Sequence, residues 1–272
     1  MQYGSDSIAD AHGRYGVERW VAGGATRAEE TVAEEVPVAL VYNGISHAVM
    51  MATPQDLRDF AIGFSLTEGV IESVGELYDI EVVEHAHGCE VQMHLAGARF
   101  AGLRERRRSM TGRTGCGLCG IESLDQVAGR RAVAVGADGN IEAGALQRAQ
   151  TELQSRQHLF QLTGAVHAAA WCRTDGGVEL VREDVGRHNA LDKLIGAIAA
   201  RRGTFADGFV LMTSRASYEI VQKAASVGIP IVAAVSAPTG MAVRVAEAAG
   251  VTLIGFARGE RHCVYSHPER VH

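Results

Sequence analysis

The sequence predicts a mixed α/β protein in which a C-terminal α/β domain follows a smaller N-terminal α+β portion. Two observations place the α/β domain. Residues 209–213, 229–235 and 251–256 are uninterrupted apolar runs of strand length. Helical patterns at 217–227 and 241–249 separate them. Continuous apolar strands alternating with helices imply a mainly parallel sheet covered on both faces. A third observation sets the first part of the chain apart. Residues 36–42 and 47–52 are short β-rich runs joined by Asn43-Gly44, a strong hairpin signal.

Taken in order, residues 1–16 are polar and glycine-rich and are expected to be loose. The N-terminal portion is placed at 17–110. After its hairpin, Thr53-Pro54 opens a helix to about Glu68, with Thr53 as its cap and Leu57, Phe60, Ala61, Phe64 and Leu66 as an apolar stripe. Strands are expected at 78–84 and 90–95, then a basic helix or arm at 98–108. A cysteine loop is placed at 111–123 and the α/β domain at 124–272. That domain opens with a helix at 144–162, strands at 166–172 and 178–182, and a helix at 186–201 carrying Leu191, Leu194, Ile195 and Ile198 on one side.

The chain has 272 residues and a net charge of −6, which argues against a general nucleic-acid coat. Its five cysteines are odd in number, and Cys89, Cys172 and Cys263 are scattered singly, unlike a disulfide framework. This usage points to a reducing compartment, and the polar N-terminus lacks the apolar core of a signal peptide. No apolar run is long enough to span a bilayer. The expectation is a soluble cytoplasmic protein.

The chemistry concentrates in Thr114-Gly115-Cys116-Gly117-Leu118-Cys119-Gly120. Two thiols stand three positions apart between glycines, with Arg104, Arg106, Arg107, Arg108 and Arg113 upstream. Nearby guanidinium groups favour thiolate, the nucleophilic form. By itself such a pair fits redox exchange, zinc binding or sulfur transfer. A zinc site would draw on His85, His87 and Cys89, which would share one face of an extended strand.

Several distant segments together resemble the formate dehydrogenase accessory sulfur carrier family, the FdhD type. They are the 114–120 segment; Glu183-Asp184-Val185-Gly186-Arg187-His188-Asn189-Ala190-Leu191-Asp192-Lys193; residues 213–224; Ser236-Ala237-Pro238-Thr239; and Gly255-Phe256-Ala257-Arg258. The resemblance covers nearly everything after about residue 30. It implies a sulfurtransferase that takes persulfide sulfur from a cysteine desulfurase. It further implies transfer to the molybdenum bis(guanine dinucleotide) cofactor before insertion into formate dehydrogenase. It also implies a cytidine-deaminase-like three-layer fold and a homodimer, with no catalytic metal of the protein's own. The alternatives are a noncatalytic chaperone for the same cofactor, and a zinc or dithiol redox protein.

On this resemblance Cys116 is the persulfide carrier. Cys119 assists it, holds an alternative persulfide, or releases the sulfur by attack. Phe256, Ala257, Arg258, Gly259, Glu260 and Arg261 are the expected cofactor segment, joined by Ser214, Arg215, Ser236, Thr239 and His188. Turns that follow strands in an open α/β sheet are where ligands bind. The absence of a phosphate-loop motif argues against nucleotide hydrolysis. Arg187 and Lys193 add positive charge at a strand-to-helix junction, which either holds a phosphate or is internally paired. His167-Ala168-Ala169 stands where zinc deaminases start a helix with His-x-Glu. Ala169 replaces their general acid/base, so deamination is not expected; His167 either lines the site or packs.

Overall fold

The computed structural model describes residues 10–97, 99, 100, 102, 103, 139–201 and 204–272. The expected cysteine loop at 111–123, and with it Cys116 and Cys119, lies outside the described residues, as do Arg104, Arg106, Arg107, Arg108 and Arg113.

The described chain forms three sheets. Strands β1 (His12–Val21) and β2 (Gly24–Ala33) make an antiparallel ribbon. Strands β3 (Val36–Tyr42), β4 (Ile45–Ala52), β5 (Leu77–His85) and β6 (Gly88–Leu95) make a four-stranded sheet in the order β4-β3-β6-β5. Strands β7 (His167–Arg173), β8 (Val178–Asp184), β9 (Gly208–Met212), β10 (Ile231–Ala234), β11 (Thr252–Arg258) and β12 (Arg261–Ser266) make a six-stranded sheet in the order β12-β11-β10-β9-β7-β8.

Helices α1 (Leu57–Thr67) and α4 (Arg187–Arg201) lie between the two larger sheets. Helix α1 packs Phe60, Ala61 and Phe64 with Val38, Leu40, Val91 and Met93 of the small sheet. Helix α4 packs Leu191, Leu194 and Ile198 on the large sheet, beside α5 (Tyr218–Ser226) and α6 (Gly240–Ala249). The opposite face is covered by α2 (Ala143–Arg156) through Ala145, Leu146, Ala149 and Leu153. Strand β7 shows the alternation that makes two cores: Ala169 and Trp171 face α4, while Ala168, Ala170 and Cys172 face α2. The two central helices cross at Gly63 and Gly196. A Cβ on Gly63 would lie 1.7 Å from the Asp192 carbonyl oxygen, and one on Gly196 1.9 Å from that of Asp59. Backbone meets backbone there.

Several expectations need correction. The sheet is mixed: β10 runs parallel to β9 and β11, but β7, β8 and β12 pair antiparallel. Short turns force this reversal, at Asp175-Gly176-Gly177 (Gly176 φ 91°) and at Gly259 (φ 56°). The terminus is already a strand from His12, because the ribbon's two strands satisfy each other's backbone. Thr53 does not cap α1, which begins at Leu57 after Asp56 in the left-handed region. The helix at 144–162 breaks at Gln157 into α2 and α3 (His158–Thr163), and the Glu183 carboxylate accepts the freed N–H groups of Leu159 (2.8 Å) and Phe160 (2.9 Å). His85, His87 and Cys89 do not share a strand face: a hairpin turn separates β5 from β6, and Cys89 is buried. The strand expected at 166–172 is present as β7, and His167 is its first residue.

Candidate functional site

The carboxyl ends of β9, β10 and β11 open onto one edge of the large sheet. Because β7 runs the other way, its first residue, His167, joins that edge, opposite Asp184 at the end of β8. The loops along it are laced by backbone bonds. Val235 donates to the Met212 carbonyl (2.9 Å), Thr239 to that of Ala216 (3.0 Å) and Phe256 to that of Ser236 (3.2 Å). Thr213 Oγ1 accepts from the Ala168 amide (2.9 Å), tying in β7. Helices α4, α5 and α6 all start here, so their N-terminal N–H groups face the same edge.

The 183–193 segment divides sharply by burial. Asp184 is fully buried and saturated: Oδ1 accepts from Gly186 N (2.7 Å) and Asn189 Nδ2 (3.1 Å), and Oδ2 from Thr53 N (3.0 Å) and Lys193 Nζ (2.7 Å). Lys193, also fully buried, donates a second bond to the Thr53 carbonyl (2.9 Å). Asn189 reaches the Met51 carbonyl (2.8 Å). These residues staple the loop after β4 to the start of α4. Deeper, Lys223 Nζ meets Asp192 Oδ2 (2.9 Å), Thr67 Oγ1 (3.0 Å) and Glu68 Oε1 (3.2 Å). Burial raises the Asp192 carboxyl to about 6 against the pull of Lys223, so the pair is ionised at neutral pH. Lys193 therefore offers no charge to a ligand; it is internally paired.

Arg187 and His188 point elsewhere. The His188 imidazole lies 3.2 Å from Glu219 Oε2 and 3.3 Å from Ser217 Oγ, both through Nε2. Burial, then the charges of Arg187 and Lys223 and the nearby His167, lower it to about 4. At neutral pH it is a neutral imidazole whose Nε2 proton is donated to Glu219. Burial and Arg187 lower His167 as well. Arg187 has a buried Nε with no hydrogen-bond partner, and among the described residues no carboxylate pairs with it. Ser217 stands at the N-cap of α5 but makes no cap bond; its hydroxyl serves His188 instead.

The other expected residues fall along the same edge. Ser214 is buried and its hydroxyl donates to the Arg215 carbonyl (3.0 Å); Arg215 is exposed. Thr239 caps α6 through the Ala242 amide (3.3 Å), and Ser236 is partly exposed. Phe256 has φ 52° and is 44% exposed, an aromatic ring held outward by a left-handed backbone. Ala257 turns its methyl into the core. Arg258 and Arg261 are exposed, with Arg258 Nε bonded to the Val235 carbonyl (2.9 Å). Gly259 N donates to Gln150 Oε1 (2.7 Å), and Glu260 is exposed. Glu219, as the partner of His188, is the participant that sequence reasoning missed. The signal available was its place in the first turn after a strand-end loop. Among the described residues no group of histidines, cysteines and carboxylates could hold a metal ion, and no helix is long and apolar enough to cross a membrane. The edge offers cations, neutral imidazoles, hydroxyls and an outward aromatic ring. Such a set suits an anionic ligand with a planar ring.

A protein from Cupriavidus necator named sulfur carrier protein FdhD is 55% identical over 266 residues, covering 98% of this chain and 92% of its own length. One of the same name from Bordetella petrii is 51% identical over 251 residues, covering 92% and 90%. A crystal structure from Desulfotalea psychrophila, described as a formate dehydrogenase accessory protein, superposes with a TM-score of 0.77 at 25% identity. It covers 96% of this chain and all of its own. The model of the FdhD/NarQ family matches residues 33–272, and the chain belongs to that family.

Proposed function

We propose that this protein is a sulfur carrier that passes persulfide sulfur from a cysteine desulfurase to the molybdenum bis(guanine dinucleotide) cofactor destined for formate dehydrogenase. The observation that carries the reading is the coexistence, in a chain so similar to named sulfur carriers, of a glycine-flanked dithiol and a sheet edge suited to an anionic nucleotide. In the first step the Cys116 thiolate attacks the terminal sulfur of the donor persulfide. A new S–S bond forms on Cys116, the donor S–S bond breaks, and the donor cysteine leaves as thiolate. Attack by Cys119 on the inner sulfur would then close a Cys116–Cys119 disulfide and expel the terminal sulfur as sulfide. The two thiols thereby supply the electrons. The acceptor cofactor is substrate here. Phe256 stacks its guanine ring, while Arg215, Arg258 and Arg261 face its phosphates, with Ser214, Ser236, Thr239 and His188 around them. A homodimer in the cytoplasm is part of the same reading.

The test is intact and peptide mass spectrometry after incubation with a cysteine desulfurase and cysteine, without reductant. The expected result is a labile sulfur adduct on the Cys116 peptide that needs the desulfurase. A fully active donor that leaves that peptide unmodified, or a Cys116→Ala variant that still matures formate dehydrogenase, sinks the assignment.

A further inference from the structure

The small sheet ends in β5, and the outward side of that strand is open. Its order β4-β3-β6-β5 leaves β5 with β6 as its sole neighbour among the described residues. In an antiparallel pair, alternate residues turn their N–H and C=O away from the partner strand. Ile80 marks which ones do so here. Its N–H donates to Asp79 Oδ1 (2.9 Å) and its carbonyl accepts from Arg58 Nη1 (2.6 Å), neither belonging to β6. The register runs without a shift from Ile80 to His85, so Val82 and Glu84 turn the same way. Among the described residues nothing bonds to their outward backbone groups. Other edges carry side-chain plugs: Arg156 holds the Val178 and Glu179 carbonyls of β8, and Asn189 that of Met51 on β4. The charge beside the β5 opening is of one sign. Residues 59–98 hold eight carboxylates and no lysine or arginine, more negative charge than the net −6 of the whole chain. Ile80 and Val82 pack into the core under α1, so Asp79 and Glu81 stand on the opposite face, where both are exposed. Arg99 is spent on Glu72 and Glu76, and among the described residues no cation pairs with Asp79, Glu81 or Glu84.

We propose that β5 is a docking edge for a partner protein that presents an extended segment with lysine or arginine at every second position. The segment adds an antiparallel fifth strand to the small sheet, the more stable pairing. Its backbone bonds to the outward groups of Val82 and Glu84. Its alternate cations share one face by the strand period and meet Asp79 and Glu81. The residues between them lie beside Val82 and are apolar. A second copy of this chain does not fit the edge, because it would set these carboxylates against their own kind. Nucleic acid is disfavoured by the same sign. The inference is independent of the cofactor reading, since β5 belongs to the other sheet.

The experiment titrates the full chain with a blocked, fluorescently tagged peptide, Lys-Val-Arg-Val-Lys-Val-Arg, read by anisotropy and by amide hydrogen exchange. Two control peptides accompany it. One is N-methylated at the valines, which keeps the charge and removes the N–H groups that would face Val82 and Glu84. The other carries glutamate in place of every cation. The protein variant is the double change Asp79→Asn, Glu81→Gln, checked for unchanged melting. Expected are binding of the cationic peptide, a loss of at least tenfold on N-methylation and about fivefold in the double variant, and no binding of the acidic peptide. The Val82 and Glu84 amides should exchange more slowly when the cationic peptide is bound. Equal binding of the N-methylated peptide, with those amides unprotected, would mean surface attraction alone and overturns the docking edge. Binding undiminished in the double variant, or no binding of the cationic peptide, overturns it as well. Slow exchange of both amides in the free chain would show the edge already filled by this chain or a second copy, and also overturns it.

Discussion

Two halves of one short segment behave as opposites. Asp184, Asn189, Asp192 and Lys193 are buried with every charge matched, whereas Arg187 and His188, a turn away, face the sheet edge. The first set fastens the loop after β4 and helix α1 to α4; in the second, His188 pairs with Glu219 and Ser217 while Arg187 Nε has no hydrogen-bond partner. The difference teaches that a dense run of charged residues is not one functional cluster. Partnership sorts it, and only the unmatched groups are available to a ligand.

The sharpest way to break the inner half is Lys193→Met. It strands the Asp184 carboxylate without its cation and should cost about 3–5 kcal/mol in denaturant unfolding. The double change Lys193→Met, Asp184→Asn should recover much of that loss; if the double variant is no more stable than the single, the matched-charge account is wrong. The next largest effect is expected from Gly63→Val, which puts side-chain atoms where α1 and α4 touch backbone to backbone. A loss of about 3 kcal/mol or outright failure to fold is expected. A normal melting temperature would mean the helices can separate at little cost.

The outer half is probed by pH. His188 titrates near 4 in the folded chain and near 6.5 when unfolded, so its folded pKa is depressed. Its contribution is present above pH 6.5 and is lost as pH falls from there through 4, because the unfolded chain takes up the proton first. The loss is at most about 3 kcal/mol, reduced by the exposed quarter of the side chain. His188→Gln should therefore narrow its stability gap with wild type between pH 6.5 and 4. The Asp192 titration is common to both proteins and cancels. Parallel stability curves would show that His188 is not held neutral. The smallest effect belongs to the ribbon: Trp20 is 66% exposed, and Trp20→Ser should change stability by less than about 0.5 kcal/mol. A large loss would reveal that the ring is covered in solution.

Much of this was legible before any coordinates. The three apolar strands and the helices between them were plain, because strands buried on both faces have no polar alternation to obscure them. Arg215 and Ser236 followed from the rule that ligands meet strand ends, whereas His188 and Phe256 were singled out by the family resemblance. What stayed hidden depended on partners far along the chain. Thr53 looks like a helix cap, yet its backbone and hydroxyl serve Asp184, Val185 and Lys193. The 144–162 helix breaks because Glu183, from another strand, supplies a better partner for two amides. The ribbon β1–β2 escaped notice because its strands bury little and show no apolar period. The antiparallel edges were missed although Asp175-Gly176 is itself a turn signal.

The left-handed backbone at Phe256 carries one more consequence. That conformation is costly for a residue with a Cβ and free for glycine, while glycine's larger unfolded freedom offsets the gain by a similar amount. With the ring nearly half exposed, little burial is lost on removing it. Phe256→Gly should thus leave the melting temperature almost unchanged while abolishing whatever the ring does for a ligand. Thermal screening would score such a variant as silent, so damage at this position would pass every test of folding and declare itself only when the protein is asked to work.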